Sequence, residues 1–299
     1  MIPAETILLA GPTGAGKTAL SLLLAKRLGG EIVGADAFQI YRGLPVLTAQ
    51  PTPEQRAEVP HHLVGCVDPR ESYDAARYRR EALEVLQSIA VRGRRPIVVG
   101  GTGLYLKALL GGLDELPPRD PDLRAELAAL ELSTLVGRLR ALDPEGASSV
   151  DPANRRRVER ALEIVMLTGR PLDRGGGPAA TPPGVHGFLI TRNREELTGR
   201  IAANVAAMFP KGVEAEVAAL PGESTGPTAS KTLGLADIRA LLRGELSREE
   251  CIARITLATR RYAKRQMTWF RHQHDFEAID LSLGAGPEGA VEEIITRLA

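Results

Sequence analysis

Apolar and polar positions fall in blocks along the first hundred residues. Residues 6–10 form a short apolar run, residues 11–17 a Gly-rich stretch and residues 18–28 a segment dense in Leu and Ala, which predicts strand, tight loop and helix in that order. Further strands are expected at residues 31–34 and 96–99, the second running into Gly100 and Gly101. Between them, Thr52-Pro53-Glu54-Gln55 marks a helix start: Thr caps, Pro fits the first helical position and Gln closes the reciprocal cap. Apolar strands alternating with helices predict a parallel sheet covered on both faces, because such strands have no polar side to give to water.

The pattern changes near Asp114. Residues 114–184 offer no convincing strand; 121–131 and 154–168 read as helices, and Gly175-Gly176-Gly177 through Gly184 as a linker-like loop. A mostly α-helical insertion is expected, dividing the chain into 1–113, 114–184 and 185–299. Residues 185–190 read as a strand returning to the sheet, and Leu197, Ile201, Val205 and Met208 recur at helical spacing. Ser247 with Glu250 forms a capping box that opens a long helix reaching about Arg271.

Composition sharpens this picture mainly by exclusion. A chain of 299 residues with 43% hydrophobic content can bury a sizeable core. No apolar run approaches the roughly 18 residues of a membrane helix, and the one after Met1 is broken at Gly11, so neither a span nor a signal peptide is expected. Two cysteines, Cys66 and Cys251, cannot build a disulfide framework or a four-thiolate zinc site, which makes the cytoplasm the expected compartment. With 38 basic and 37 acidic residues the net charge is +1, which rules out a globally basic nucleic-acid binder. Local clusters remain: residues 252–274 contain no acid but carry Arg254, Arg260, Arg261, Lys264, Arg265 and Arg271, and Arg155, Arg156, Arg157 and Arg160 are interrupted only by Val158 and Glu159. These point to a polyanionic partner at one surface, against the plainer alternative of solvated helix faces.

One motif carries chemistry directly. Gly11-Pro12-Thr13-Gly14-Ala15-Gly16-Lys17-Thr18 matches G-x-x-x-x-G-K-[ST], the phosphate-binding loop of nucleotide-binding proteins, and lies between a strand and a helix as that loop must. Glycines let successive N–H groups face one anion and the following helix adds its positive end. Lys17 is expected to reach the terminal phosphates and the Thr18 hydroxyl to hold Mg²⁺. The motif says that a di- or triphosphate binds, not what becomes of it. Asp36 lies just past the second strand, where carboxyl ends of parallel strands open into the ligand crevice. It could act as general base, stand behind a metal or merely cap a turn. Thr102 ends the third strand and could converge on the same place. The five histidines show no H-E-x-x-H pattern and indicate no metal site built from side chains, and there is no G-x-S-x-G and no Cys/His constellation, which disfavours hydrolase chemistry by a covalent intermediate.

Several stretches taken together resemble the tRNA dimethylallyltransferases, in their bacterial form. They are Gly11 to Thr18; Ala35-Asp36 through Gln39-Ile40-Tyr41-Arg42-Gly43; Val59-Pro60-His61-His62-Leu63; Val98 through Leu106; and Thr259-Arg260-Arg261-Tyr262-Ala263-Lys264-Arg265-Gln266-Met267-Thr268-Trp269-Phe270-Arg271. Four positions depart from the family pattern. Ala37-Phe38 stands where Ser-Met is usual, Leu235 where Tyr is common after Gly234, and Lys231 where Arg is frequent, which keeps a cation for the diphosphate but not a bidentate one.

The resemblance implies an α/β fold with a P-loop NTPase-like parallel sheet flanked by helices, interrupted by the mostly α-helical insertion. It implies transfer of a dimethylallyl group from dimethylallyl diphosphate to the N6 amine of the adenosine beside the anticodon, position 37 of tRNA, with release of pyrophosphate. Gly11 to Thr18 and Lys231 would hold the diphosphate with Mg²⁺; Asp36 would be the catalytic base; Thr102 would orient the amine or the bridging oxygen. RNA contacts are implied at Asp36, Ala37, Phe38, Gln39, Thr102, Arg124, Arg156, Arg157, Val158, Glu159 and Arg160, so that the insertion and the basic helix hold the anticodon stem-loop. The enzyme is expected to work as a monomer, away from membranes. A small-molecule kinase using ATP is the competing reading of the phosphate loop alone.

Overall fold

A computed structural model describes residues 1–111, 117, 120–172, 180–220, 225–282 and 286–298. The linker-like residues 175–177 and the boundary expected at Asp114 lie outside this set. Two units emerge, one made of Met1–Gly112 with Pro178–Ala299 and the other of Leu113–Gly177.

The larger unit begins β1 (Ile7–Ala10), α1 (Lys17–Leu28), β2 (Gly30–Gly34), α2 (Pro53–Glu58), β3 (His61–His62), α3 (Ala75–Val91), β4 (Arg95–Gly100) and α4 (Gly103–Gly111). The smaller unit holds α5 (Pro121–Ala128), α6 (Leu132–Leu142), α7 (Pro144–Ser148) and α8 (Arg155–Thr168). The chain returns with β5 (His186–Thr191), α9 (Arg194–Met208), α10 (Val213–Ala218), a 3-10 turn at Ala229–Lys231, α11 (Leu235–Leu242), α12 (Arg248–Gln273), β6 (Glu277–Asp280) and α13 (Gly286–Leu298). Both predicted capping boxes are present, Thr52 with Gln55 on α2 and Ser247 with Glu250 on α12. No helix among the described residues is long and apolar enough to cross a membrane.

Among the described residues six strands pair, all parallel, in the order β3-β2-β4-β1-β5-β6. Every residue of β1 is buried, so the sheet is covered on both faces. On one face Ile7, Leu9, Ile32, Ile97, Phe188 and Ile279 pack with Leu20 and Leu24 of α1 and Val291 and Ile294 of α13. Helix α3 buries Ala75, Tyr78, Ala82, Leu86 and Ile89, one stripe at helical spacing, and packs against β2 and β4. With β1 between β4 and β5, the loop leaving β1 sits beside the exits of both neighbours, where a parallel sheet opens a ligand crevice.

In the smaller unit a separate core of Leu127, Leu135, Leu139, Val158, Leu162 and Val165 joins α5, α6 and α8. The predicted helix at 121–131 is divided: α5 stops at Ala128, and Glu131 stands at the extended N-cap position of α6. Arg155 supplies the reason, since its guanidinium donates to the carbonyls of Leu127, Ala128 and Leu130 and satisfies the orphan acceptors of a helix end.

At the C-terminus of α12, His274 is buried with its ring 4.7 Å from Phe276 and 5.7 Å from Phe270. Burial, with a smaller contribution from Lys107, lowers its pKa to about 4. The native state therefore refuses a proton that the unfolded chain accepts near pH 6.5, and stability is lost as pH falls from 6.5 towards 4. Urea unfolding at pH 7 and pH 4.5 should show that His274→Phe loses about 2 to 3 kcal/mol less than the wild type over that interval. An equal loss in both proteins would place the acid sensitivity elsewhere.

Candidate functional site

The loop after β1 curls because Gly14 and Gly16 take φ of 83° and 107°, left-handed conformations that a side chain disfavours. Gly16 is the N-cap of α1, so the helix begins on Lys17 and its positive end faces the loop. The Lys17 ammonium donates to the carbonyls of Gly11 and Pro12, both at 2.8 Å, which leaves one N–H for a ligand. Burial lowers its pKa to about 8, and the negative charge of Asp36 partly offsets that shift. The Thr18 hydroxyl has no hydrogen-bond partner among the described residues.

Adjacent strands bring the second half of the site alongside. Ala35 N–H donates to Val99 O and Thr102 N–H to Ala35 O, lacing the exits of β2 and β4 together. Asp36 Oδ1 accepts from Phe38 N at 2.9 Å and from Gln39 N at 3.3 Å, an Asx turn, while Oδ2 has no partner among the described residues. Asp36 is thus a turn cap through one oxygen with the other free. Thr102 Oγ1 accepts from Ala37 N at 2.9 Å, and the same side chain meets the Tyr262 hydroxyl. Phe38 and Tyr262 rings sit 6.1 Å apart at 48°. Burial first, then the Asp36 charge, pushes the Tyr262 phenol well above its usual pKa, so it is neutral and a donor. Gln39 commits its amide N–H groups to Thr48 O and Ala49 O, both at 3.1 Å, so only its side-chain oxygen remains for a base. Lys231 closes the 3-10 turn before α11 and is exposed.

Three site residues escaped the sequence reading. Arg192, with only 8% of its side chain exposed, donates from Nε to Ala15 O and pairs with Glu196. Arg200 of α9 donates from Nε to Gly14 O. Both guanidiniums therefore hold carbonyls of the phosphate loop. Gln266, 5% exposed on α12, accepts from Thr13 N and donates to Gly101 O, each at 2.9 Å. Arg192 lies just past a strand's carboxyl end, the signal that singled out Asp36; Gln266 lies inside the 259–271 stretch that carries the resemblance without being singled out there, and Arg200 carries no local signal.

The two basic clusters differ. On α12, Cys251, Ile255, Ala263, Gln266 and Phe270 face inward, while Arg254, Arg260, Arg261, Lys264, Arg265 and Arg271 are exposed and form no ion pair among the described residues. Within α8 the arginines have separate tasks. Arg155 pairs with Glu159 besides capping α5, and Arg160 pairs at 2.7 Å with the buried Glu163, which Arg124 approaches to 3.8 Å. Val158 is 1% exposed in the core of the helical unit, so the RNA contact expected of its side chain is corrected to a packing role. Arg156 and Arg157 are exposed and have no partner among the described residues. Among those residues no three His, Cys, Asp or Glu side chains converge on a metal position.

Comparison with known proteins gives this arrangement a lineage. A family model described as IPP transferase matches residues 39–273, and one described as isopentenyl transferase matches residues 4–60. The chain is 45% identical over 293 residues to a tRNA dimethylallyltransferase of Akkermansia muciniphila, covering 98% of this chain and 99% of the relative. It is 47% identical over 274 residues to one from Anaeromyxobacter dehalogenans, covering 89% and 92%. Among solved structures, the full-length tRNA isopentenylpyrophosphate transferase of Bacillus halodurans aligns with a TM-score of 0.71 at 33% identity, over 99% of this chain and 97% of that one. A eukaryotic dimethylallyltransferase acting on tRNA aligns with a TM-score of 0.82 at 26% identity, over 98% and 79%. Sequence and fold agree from end to end: the chain belongs to the IPP transferase family, that of the tRNA dimethylallyltransferases.

Proposed function

We infer that the chain transfers a dimethylallyl group from dimethylallyl diphosphate to N6 of the adenosine beside the anticodon of a tRNA. The observation that carries this reading is the placement of Asp36, with a free carboxylate oxygen, in the electrostatic field of Lys17 on the phosphate loop. A kinase would use that loop to steady a phosphorus under attack. Here the bond that breaks joins the allylic carbon to the diphosphate oxygen, and the bond that forms joins that carbon to N6. The electron pair leaves with pyrophosphate, where the loop amides and Lys17 receive the new charge. Adenine's amine is a weak nucleophile because its lone pair is delocalised, so Asp36 Oδ2 takes the N6 proton as the new bond forms. Thr102, held between Ala37 N and the Tyr262 hydroxyl, keeps the amine or the bridging oxygen in line.

The Thr18 hydroxyl, a hard oxygen without a partner among the described residues, is the side chain that would hold a Mg²⁺ at the diphosphate. When bound, the ion neutralises charge on the leaving pyrophosphate. The target base must leave its stack to reach this crevice, and Phe38 beside Tyr262 offers an aromatic surface to receive it.

Mass spectrometry of nucleosides from unmodified tRNA, after incubation with the protein, Mg²⁺ and dimethylallyl diphosphate, tests the reaction. One adenosine should gain a dimethylallyl group; turnover of ATP instead, with tRNA unchanged, would return the chain to the kinase reading.

Of the α8 cluster, Arg156 and Arg157 are the cations without an acidic partner among the described residues, and so the phosphate contacts. Replacing both with Ala should weaken binding of the anticodon stem-loop and reduce the log–log salt slope by about 0.7 to 0.9 for each phosphate no longer neutralised. Diphosphate affinity should not move. An unchanged slope with unchanged RNA affinity would make these two arginines a solvated face.

A further inference from the structure

Helix α12 has a property its basic surface does not require. From its buried side, Gln266 reaches across 253 positions in sequence to accept from Thr13 N–H in the phosphate loop and donates to the carbonyl of Gly101, next to Thr102. The two hydrogen bonds fix the amide orientation, oxygen towards the loop and nitrogen towards Gly101. Space around it is reserved as well: a Cβ on Gly101 would lie 2.2 Å from Gln266 Nε2, so glycine stands there because the amide occupies the place of a side chain. Four residues earlier on the same helix, Tyr262 lies against Thr102 and Gln266 and near Asp36.

We propose that Gln266 is a positioning residue for prenyl transfer, clamping the phosphate loop to the β4 exit so that diphosphate cradle and Thr102 keep one fixed spacing. The clamp needs a donor and an acceptor on one planar group of this length. It also places the spacing under the control of the helix that bears the exposed arginines, so that the RNA-facing element and the diphosphate cradle move as one body. The inference rests on the reading of Gly11 to Thr18 as the diphosphate site.

The test measures pyrophosphate binding by calorimetry, anticodon stem-loop binding and steady-state kinetics for the wild type, Gln266→Met and Gln266→Glu. Methionine matches the length but makes neither bond; without the two bonds, pyrophosphate binding should weaken about tenfold and the donor KM should rise in parallel, on the scale of two hydrogen bonds. Stem-loop affinity should stay within about twofold, because the exposed arginines are untouched. With Gln266→Glu the carboxylate faces the Gly101 carbonyl and repels it. As pH falls and that buried carboxyl gains a proton it can donate again, so pyrophosphate affinity relative to the wild type should recover and exceed that of Gln266→Met. Lys17, Asp36 and Tyr262 face the site in all three proteins, and the new carboxylate also repels a bound diphosphate directly, so the deciding sign is low-pH affinity above that of Gln266→Met rather than recovery alone.

Pyrophosphate affinity within twofold of wild type in Gln266→Met, or equal weakening of both ligands, overturns the clamp. Should that variant not fold, a flat pH ratio in Gln266→Glu overturns it instead. Absence of pyrophosphate binding by the wild type would reject the diphosphate site itself, and the clamp with it.

Discussion

Lys17→Ala should lower kcat/KM for the prenyl donor by about 10²- to 10³-fold, the cost of removing a preorganised group from a developing oxyanion. No neighbour can replace it. The loop amides are dipoles rather than charges, and Arg192 and Arg200 are tethered through Nε to Ala15 O and Gly14 O, whereas the Lys17 ammonium sits on the carbonyls of Gly11 and Pro12 inside the loop. The same ammonium sets a pH limit. Its pKa is about 8 in the free protein because burial disfavours the charged form. A diphosphate binds the protonated form, so donor affinity should be full below pH 8 and fall by up to about tenfold per pH unit above it. Lys17→Arg keeps its charge throughout that range and should show no such fall, whatever affinity it retains. Donor titrations from pH 7 to 9 on these proteins decide the matter, and parallel curves for wild type and Lys17→Arg would take Lys17 out of the diphosphate site.

The interior of the sheet could be read from the sequence because its central strands are apolar on both sides. Its margins could not. Strand β3 is only His61–His62, half-buried, and β6 buries a single residue, Ile279, among Glu277, Ala278 and Asp280. These are the two edge strands, where one flank meets solvent and the apolar signal is lost. The division of 121–131 into two helices has a similar cause at longer range. Propensity alone carries the first helix onward, and it is Arg155, 25 to 28 residues later, that satisfies the carbonyls exposed by stopping.

At the site, the legible residues are those that belong to a local pattern: the phosphate loop by spacing, Asp36 and Thr102 by strand ends. Gln266 and Arg200 act on that loop from helices far along the chain: nothing in its own segment distinguishes Arg200 from a helix-face polar residue, and the stretch that holds Gln266 marks a family without marking which of its side chains reaches the loop. The arginine cluster shows the opposite failure. Four arginines in six positions look alike as charge, yet two are engaged by Glu159 and Glu163 and only two remain for a partner.

Asp36→Asn separates the two roles that the geometry gives one side chain. The amide oxygen can still accept from Phe38 N and Gln39 N, so the Asx turn and the loop it shapes should persist. Only the free Oδ2, the proposed proton acceptor, is replaced by an NH₂ that cannot take a proton. General-base contributions run at about 10² to 10⁴ in rate, so single-turnover prenylation should fall within that range while stem-loop and pyrophosphate affinities stay within about twofold. Asp36→Ala provides the contrast: it removes the turn as well, and should reduce both rate and RNA affinity because Ala37, Phe38 and Gln39 lose their anchor. A rate for Asp36→Asn within about tenfold of wild type, below the range for a base, would leave the carboxylate as a cap alone. If Asp36→Asn and Asp36→Ala fell equally in RNA affinity, the turn would depend on charge rather than on the oxygen, and the separation of roles would fail.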